Sequence, residues 1–213
     1  MSEDRDLRPR FHRDLAAIDD QMCRMFDLLQ EALVATTRAL MAGDEEGARQ
    51  VVEGDATIDE LGHALESAIT RMIHLQSPVA GDLRYLVTVL RVAPELERSA
   101  DLVEHIAARA VSGLRTSLTP ELVGRVGRMG EVAEQMWATA ASAWGDRTPE
   151  AVAELEALDD EMDAMHDDLR VQLQGGVLPI VPAVEMALVG RFYERLGDHA
   201  LHVTERLGYA AGA

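Results

Sequence analysis

A pattern of charged side chains, Glu-Arg-x-x-Asp-x-x-x-His, occurs twice in this chain of 213 residues. Within each copy the Glu and the Asp are four residues apart, so on a helix both carboxylates project from one face, one turn apart. Carboxylate oxygens bind hard cations and exchange protons, so each pair could form part of a metal site or an acid–base site. The acidic residues of the two copies are Glu97, Asp101, Glu194 and Asp198.

The elements that position these acids are predicted to be helices. Apolar residues recur with a helical period along almost the whole chain, and aromatic residues make up only 4% of it. Thr119-Pro120-Glu121 and Thr148-Pro149-Glu150 are typical helix starts, whereas Gly43-Asp44 and Gly145-Asp146 are typical stops. The predicted helices run from Phe11 to Ala42, from Asp44 through Ile73, from about Asp82 to Leu114, from Thr119 to Trp144, from Thr148 to near Gly175, and from near Pro182 past Leu207.

These six helices form two copies of one unit. Gly43-Asp44 corresponds to Gly145-Asp146, and Asp55 corresponds to Asp159, in addition to the repeated charged pattern. The sequence therefore predicts an all-α protein of two pseudo-symmetric three-helix bundles with short connections. We predict that residues 1–115 form the first unit and residues 116–213 the second.

Counting from the hairpin bends predicts that acids of neighbouring helices lie level with each other. Asp55 lies 23 residues before Pro78 and Asp101 lies 23 residues after it, on helices that we expect to be antiparallel. In the second unit, residues 159–163 precede the Gly175-Gly176 bend, and Glu194 and Asp198 follow it at a comparable distance. Each unit thus brings four carboxylates towards one patch, where they repel unless a metal, protons or Arg side chains compensate them.

Two interpretations of these patches remain open from spacing alone, because 38 acids in 213 residues make such pairs common. In one, a cation is bound: oxygen ligands suit Mg²⁺, Mn²⁺, Fe or Ca²⁺, and the nearby His105, His199 and His202 would admit Fe or Zn. In the other, the acids are solvated and pair with Arg98 and Arg195.

Other candidate sites are weaker. Glu60 and His63 have the E-x-x-H spacing of di-iron bundles, but only Asp163 and His166 offer a poor second copy, so we expect an ordinary exposed His63. Cys23 has no catalytic neighbours in the pattern and is expected in the core. Trp137 and Trp144, seven residues apart, are expected in the core, with a partner or dimer surface as the alternative. No catalytic residue is predicted.

Charge and composition limit the partners. A net charge of −18 opposes binding to nucleic acid and favours cations or basic protein surfaces. The single cysteine and the charged N-terminal residues lead us to expect a cytoplasmic location. The most apolar stretch, residues 177–190, is too short and too interrupted by proline to span a bilayer.

The chain resembles the PhoU family, the accessory and regulatory proteins of bacterial phosphate uptake. The resemblance covers nearly the whole sequence and depends on residues 53–55, on residues 78–84 (PVAGDLR), and on the two Glu-Arg-x-x-Asp segments. It implies two three-helix bundles with one multinuclear metal site each, holding Fe, Zn, Mn or Mg. The implied ligands are Asp55, Asp59, Glu97 and Asp101 at one site and Asp159, Asp163, Glu194 and Asp198 at the other.

The resemblance also implies a function without chemistry. Such a protein is expected to restrain phosphate uptake and phosphate-starvation signalling by binding a phosphate ABC transporter's ATPase and a sensor histidine kinase, at the membrane only through that complex, and to form a homodimer. The alternatives are a carboxylate-bridged metalloenzyme and a metal-independent helical scaffold. One departure from the family is that Ser99-Ala100 stands where Ile-Gly is usual before the Asp, which predicts unequal sites.

Overall fold

The computed structural model describes residues 4–54, 56–78, 80–146 and 151–211. Helices occupy almost all of these ranges. They are α1 (Asp4–Ala42), α2 (Glu45–Gly54), α3 (Ala56–Gln76), α4 (Ala80–Val111), α5 (Pro120–Asp146), α6 (Val152–Gln174) and α7 (Ile180–Ala211), with a 3₁₀ turn (Leu114–Ser117) between α4 and α5.

The predicted start and stop signals act as expected at two junctions. Gly43 takes a left-handed φ of 71° after α1, and the Asp44 side chain accepts a hydrogen bond from the Gly47 N–H at 2.9 Å, which caps α2. The Thr119 hydroxyl accepts from the Leu122 N–H at 3.3 Å at the start of α5. These contacts satisfy backbone groups that a helix end leaves without a partner.

Three boundaries differ from the prediction. The predicted second helix is described as α2 and α3, and Asp55 between them lies outside the described residues. Helix α1 begins at Asp4, earlier than Phe11, because residues 4–10 are mostly charged and contain no apolar period for the prediction to follow. Helix α4 ends at Val111, where Gly113 with a φ of 75° turns the chain into the 3₁₀ segment. Residues 148–150, the predicted start of the fifth helix, also lie outside the described residues.

The helices pack as two units. Helix α1 packs against α2, α3 and α4, whereas α5 and α6 pack against each other and against α7. The units meet where α4 crosses α7 and where α1 lies against α5, and their buried apolar side chains form one cluster. The predicted all-α fold of two three-helix units is confirmed. Within the described ranges, no helix is long and apolar enough to cross a membrane.

Aromatic side chains join the two units. Phe26 of α1 lies 6.2 Å from Trp137 and 5.8 Å from Trp144 of α5, measured between ring centroids, and Tyr85 of α4 lies 6.1 Å from Trp144. Both tryptophans are buried, which confirms their predicted place in the core. The expectation for Cys23 was wrong: it lies on the exposed face of α1, whereas Met22 and Met25 point into the core.

Glycine permits the close approach of α1 to α5. A Cβ at Gly130 would overlap the side chain of Thr37, which is buried and whose hydroxyl lies 3.0 Å from the Tyr193 hydroxyl. At Gly124, on the same helix, no neighbouring atom lies within 4 Å of the position that a methyl group would occupy. The space around each of these two glycines, and not helix propensity, therefore decides whether a larger side chain fits there.

We expect Gly130→Ala to lower the free energy of unfolding by about 1–3 kcal/mol, because the new methyl group displaces the constrained Thr37. The matched control Gly124→Ala is expected to raise it by roughly 0.5–1 kcal/mol, because alanine restricts the unfolded chain and meets no atom. Urea unfolding followed by circular dichroism measures both. Equal effects of the two substitutions would contradict the close packing at Gly130.

Candidate metal centre

The second unit brings its four predicted acids to one side of the α6–α7 pair. Asp159 and Asp163 lie one turn apart on α6, and Glu194 and Asp198 lie one turn apart on α7. Glu194 is buried, with 9% of its surface exposed, Asp159 and Asp198 are half-buried, and Asp163 is exposed. Gly197 provides room for this arrangement, because a Cβ there would lie 3.3 Å from Asp159 Oδ1. We call these four residues the second acid patch.

Burial and mutual repulsion raise the pKa values of two of these carboxyl groups. Burial, and then repulsion from Asp198 and Asp163, raise the pKa of Asp159 to about 6. Burial and then repulsion from Asp198 also raise the pKa of Glu194 to about 6, despite the opposing charge of Arg191. Carboxylates held in this way favour a proton or a cation over the bare charged state.

Glu194 has the most informative environment. One carboxylate oxygen, Oε1, accepts a hydrogen bond from Arg191, one turn earlier on α7. The other oxygen, Oε2, is buried and has no hydrogen-bond partner. A buried acceptor without a partner has a high desolvation cost, and a cation bound at Oε2 would compensate that cost. The donor chemistry of Glu194 therefore suits an oxygen-bound cation, although the arrangement of the four side chains does not form a coordination set.

The first unit shows part of the same arrangement. Glu97 of α4 is half-buried, and its carboxylate lies directly against Gly62 of α3, where a Cβ would overlap it. Burial and then repulsion from Asp59 raise the pKa of Glu97. Asp59 and Asp101 are exposed, and Asp55 lies outside the described residues. The first acid patch, formed by Asp59, Glu97 and Asp101 in the described part of the chain, is more open than the second.

Neither patch is a closed coordination sphere. Across the described residues, no three acidic, histidine or cysteine side chains are arranged as a set that could hold a metal ion. Metal binding at either patch, the identity of the metal and its ligands all stay predictions.

The interpretation in which these acids are solvated and pair with arginines is only partly met. Arg98 pairs with Glu95 at 2.8 Å, although Glu97 is its neighbour in sequence, and the arginine on Glu194 is Arg191. The E-x-x-H candidate behaves as an ordinary histidine: His63 is exposed, and its Nδ1 lies 2.8 Å from the main-chain oxygen of Asp59. His166 is half-buried, and burial lowers its pKa.

Comparison with known proteins identifies the family of this chain. The PhoU domain family profile matches residues 22–110 and 126–207, which cover most of both units and contain all eight predicted ligands. The chain belongs to the PhoU family.

Individual relatives match over almost the full length. The chain is 31% identical over 208 residues to the phosphate-specific transport system accessory protein PhoU homolog 2 of Mycobacterium tuberculosis, covering 96% of this chain and 98% of the relative. It is 30% identical to a PhoU homolog of Zymomonas mobilis, over 94% of this chain and 86% of that protein. The crystal structure of PhoU from Pseudomonas aeruginosa matches the fold with a TM-score of 0.87 at 22% identity, covering 94% of this chain and 98% of that one.

Two further residues shape the patches and were not predicted. Gly62 admits the Glu97 carboxylate against α3, and Arg191 holds one oxygen of Glu194. Arg191 lies three residues before Glu194, a spacing at which helical side chains meet, so the signal was present. Gly62 carried no such signal, because its role depends on how closely α3 and α4 approach.

The raised pKa values predict how the stability of metal-free protein depends on pH. Asp159 and Glu194 have pKa values of about 6 when folded, against ordinary values of 3.8 and 4.5, so the folded state binds more protons between about pH 4 and pH 6. Their contribution to stability is therefore present at low pH and is lost as the pH rises through 6. Unfolding in urea at several pH values, with a metal chelator present, measures this slope.

Asp198→Asn should flatten that slope and stabilise the metal-free protein at pH 8, because Asp198 is the strongest charged neighbour of both carboxyl groups. The control is Glu154→Gln, which removes an exposed acid from the first turn of α6. If both variants kept the wild-type slope, the second patch would not be coupled as described.

Proposed function

We propose that this protein is a cytoplasmic negative regulator of phosphate uptake and phosphate-starvation signalling. The observation that carries the proposal is similarity along both units to relatives named phosphate-specific transport system accessory proteins. A PhoU-family protein has an accessory and regulatory role and is not an enzyme, so the metalloenzyme alternative is set aside.

The protein would act by binding. A binding partner shifts an equilibrium only by favouring one of its states, so the protein would bind preferentially to the non-activating state of a sensor histidine kinase and to the ATPase of a phosphate ABC transporter. The net charge of −18 favours partners with basic surfaces and opposes nucleic acid. Contact with the membrane would be through that complex, and a homodimer would be its working form.

Metal binding is proposed for both acid patches. The ligands would be Asp55, Asp59, Glu97 and Asp101 in the first unit and Asp159, Asp163, Glu194 and Asp198 in the second, with Fe, Zn, Mn or Mg as the cation. Support comes from the buried Glu194 Oε2 without a partner and from the raised pKa of Glu194. A cation would offset the repulsion within each patch and join the two helices that carry it.

Deletion of the gene tests the regulatory role. We expect higher alkaline phosphatase expression and higher phosphate uptake in phosphate-rich medium, because the transporter and the kinase would lose their restraint. The wild-type gene on a plasmid should restore both. Normal repression and uptake in the deletion strain would contradict the proposed regulation.

Metal content tests the two patches. Protein purified without chelator is expected to contain a transition metal or Mg²⁺, and the Asp101→Ala, Asp198→Ala double variant is expected to lose most of it, because each patch loses one oxygen ligand. Elemental analysis measures both, and circular dichroism checks that the double variant is folded. Identical content in the two proteins would favour the metal-independent scaffold.

A further inference from the structure

The first turns of α7 are apolar on two opposite faces. Met186 and Val189 are fully buried in the core, as expected for a helix with one packed face. On the other face Ile180, Val181 and Val184 are exposed, with 79% of the surface of Ile180 and 69% of that of Val181 open to solvent. A helix that is apolar all round is normally covered on every side, whereas the described part of this chain leaves one face uncovered.

This uncovered face is neutral as well as apolar. Four aliphatic residues at the spacing of one helix face make up the surface, which we call the α7 seam: Ile180, Val181, Val184 and Leu188. Val177, in the bend before α7, is also exposed. No charged residue occurs in residues 171–184, although charged residues make up 27% of the chain. The seam therefore stands out from an otherwise strongly charged molecule.

The corresponding face of the first unit is charged. With the two Glu-Arg-x-x-Asp segments aligned, Arg84 stands where the second unit has Val181. Arg91 likewise stands where the second unit has Leu188. Asp82 lies in the first turn of α4, whereas the first turn of α7 has no acidic residue. The three-helix unit does not require an apolar surface at this position, so the seam points to a contact outside the unit.

Charge selects the occupant of the seam. The chain has a net charge of −18, so two copies repel each other wherever their charged surfaces meet. Two seams meet without bringing like charges together, and an apolar helix stripe is complementary to its own copy across a two-fold axis. A bilayer is a poorer partner, because the seam has no basic residue to attract anionic headgroups.

The exposed area fits a reversible dimer. The seam and Val177 expose roughly 500 Å² on each copy, which is as large as the greatest apolar patch of an ordinary monomer. Joining two such surfaces buries roughly 1,000 Å², the lower limit for a specific interface. A contact of this size supports an equilibrium between monomer and dimer and not a permanent assembly.

We propose that the α7 seam is the surface through which two copies of this chain associate, with the starts of their α7 helices side by side across a two-fold axis. The apolar faces of the two helices then cover each other, and the acidic remainder of each copy stays in solvent. The inference rests on the homodimer of the proposed function and names its interface.

Sedimentation velocity of the full-length protein over a range of concentrations tests the association. The wild type should pass from monomer to dimer with a dissociation constant of roughly 1–100 µM. Ile180→Asp should raise this constant by about tenfold or more, because each new carboxylate is brought towards its own copy across the two-fold axis. The variant is expected to fold, since an acidic side chain is favourable at the start of a helix.

Leu75→Asp is the matched control. Leu75 lies in the last turn of α3, at the other hairpin, and 66% of its surface is exposed. The substitution adds the same charge to the chain outside the seam, so the dissociation constant should stay that of the wild type. Circular dichroism checks that both variants are folded.

A cysteine at the centre of the seam gives a positive test. In a Cys23→Ser background, Val184→Cys should form a disulfide-linked dimer on mild oxidation, because residues at the centre of the seam face their own copy across the axis. Leu75→Cys in the same background should remain monomeric.

Three outcomes would overturn the inference. A wild-type protein that stays monomeric would also remove the proposed homodimer, but it would leave phosphate regulation to be decided by the gene deletion. A dimer that Ile180→Asp leaves intact and that Val184→Cys does not cross-link would have its interface elsewhere, and only the seam assignment would be lost. If the wild type is monomeric and Ile180→Asp abolishes phosphate repression in cells, the seam binds a regulatory partner and not a second copy.

Discussion

The antiparallel packing of α4 against α7 is the contact on which the rest of this structure depends. Each of these helices belongs to a different unit and carries the Glu-x-x-x-Asp pair of that unit. Glu95 with Arg206, Ser99 with His199, and Arg109 with Glu185 at 3.2 Å follow one another along the crossing. Because Ser99 and His199 are buried in the shared apolar core and the two ion pairs lie at its edge, the two units cannot shift independently without breaking several interactions together.

The acid patches carry an electrostatic cost that this core must offset. Glu194 keeps a buried carboxylate oxygen without a partner, and burial and repulsion raise the pKa of both Glu194 and Asp159. Glu95 shows the contrasting solution: its burial opposes ionisation, but hydrogen bonds from Arg98 and Arg206 outweigh that effect and lower its pKa. The pKa values of these two buried glutamates are therefore shifted in opposite directions. Arginines contact both carboxylate oxygens of Glu95 but only one carboxylate oxygen of Glu194.

The two units are related in sequence but differ in detail. In the first unit the close approach to a carboxylate is made by Gly62 of α3, opposite Glu97, whereas in the second it is made by Gly197 of α7, opposite Asp159. Ala100 is the residue that corresponds to Gly197 in the repeat, and its predicted effect on the relative strength of the two sites stays a prediction. The first patch is more exposed than the second, so the units are not interchangeable.

By itself, the sequence determined the helical class, the two-unit repeat and the facing acid pairs, because helical periodicity and spacing from a hairpin bend are local properties of the chain. The caps at Asp44 and Thr119 were predictable for the same reason. Only the tertiary structure decided that Cys23 faces solvent, that Gly62 admits Glu97, and that Ser99 meets His199. Those outcomes depend on the rotation and separation of helices distant in sequence, and no local pattern encodes the distance between two packed surfaces.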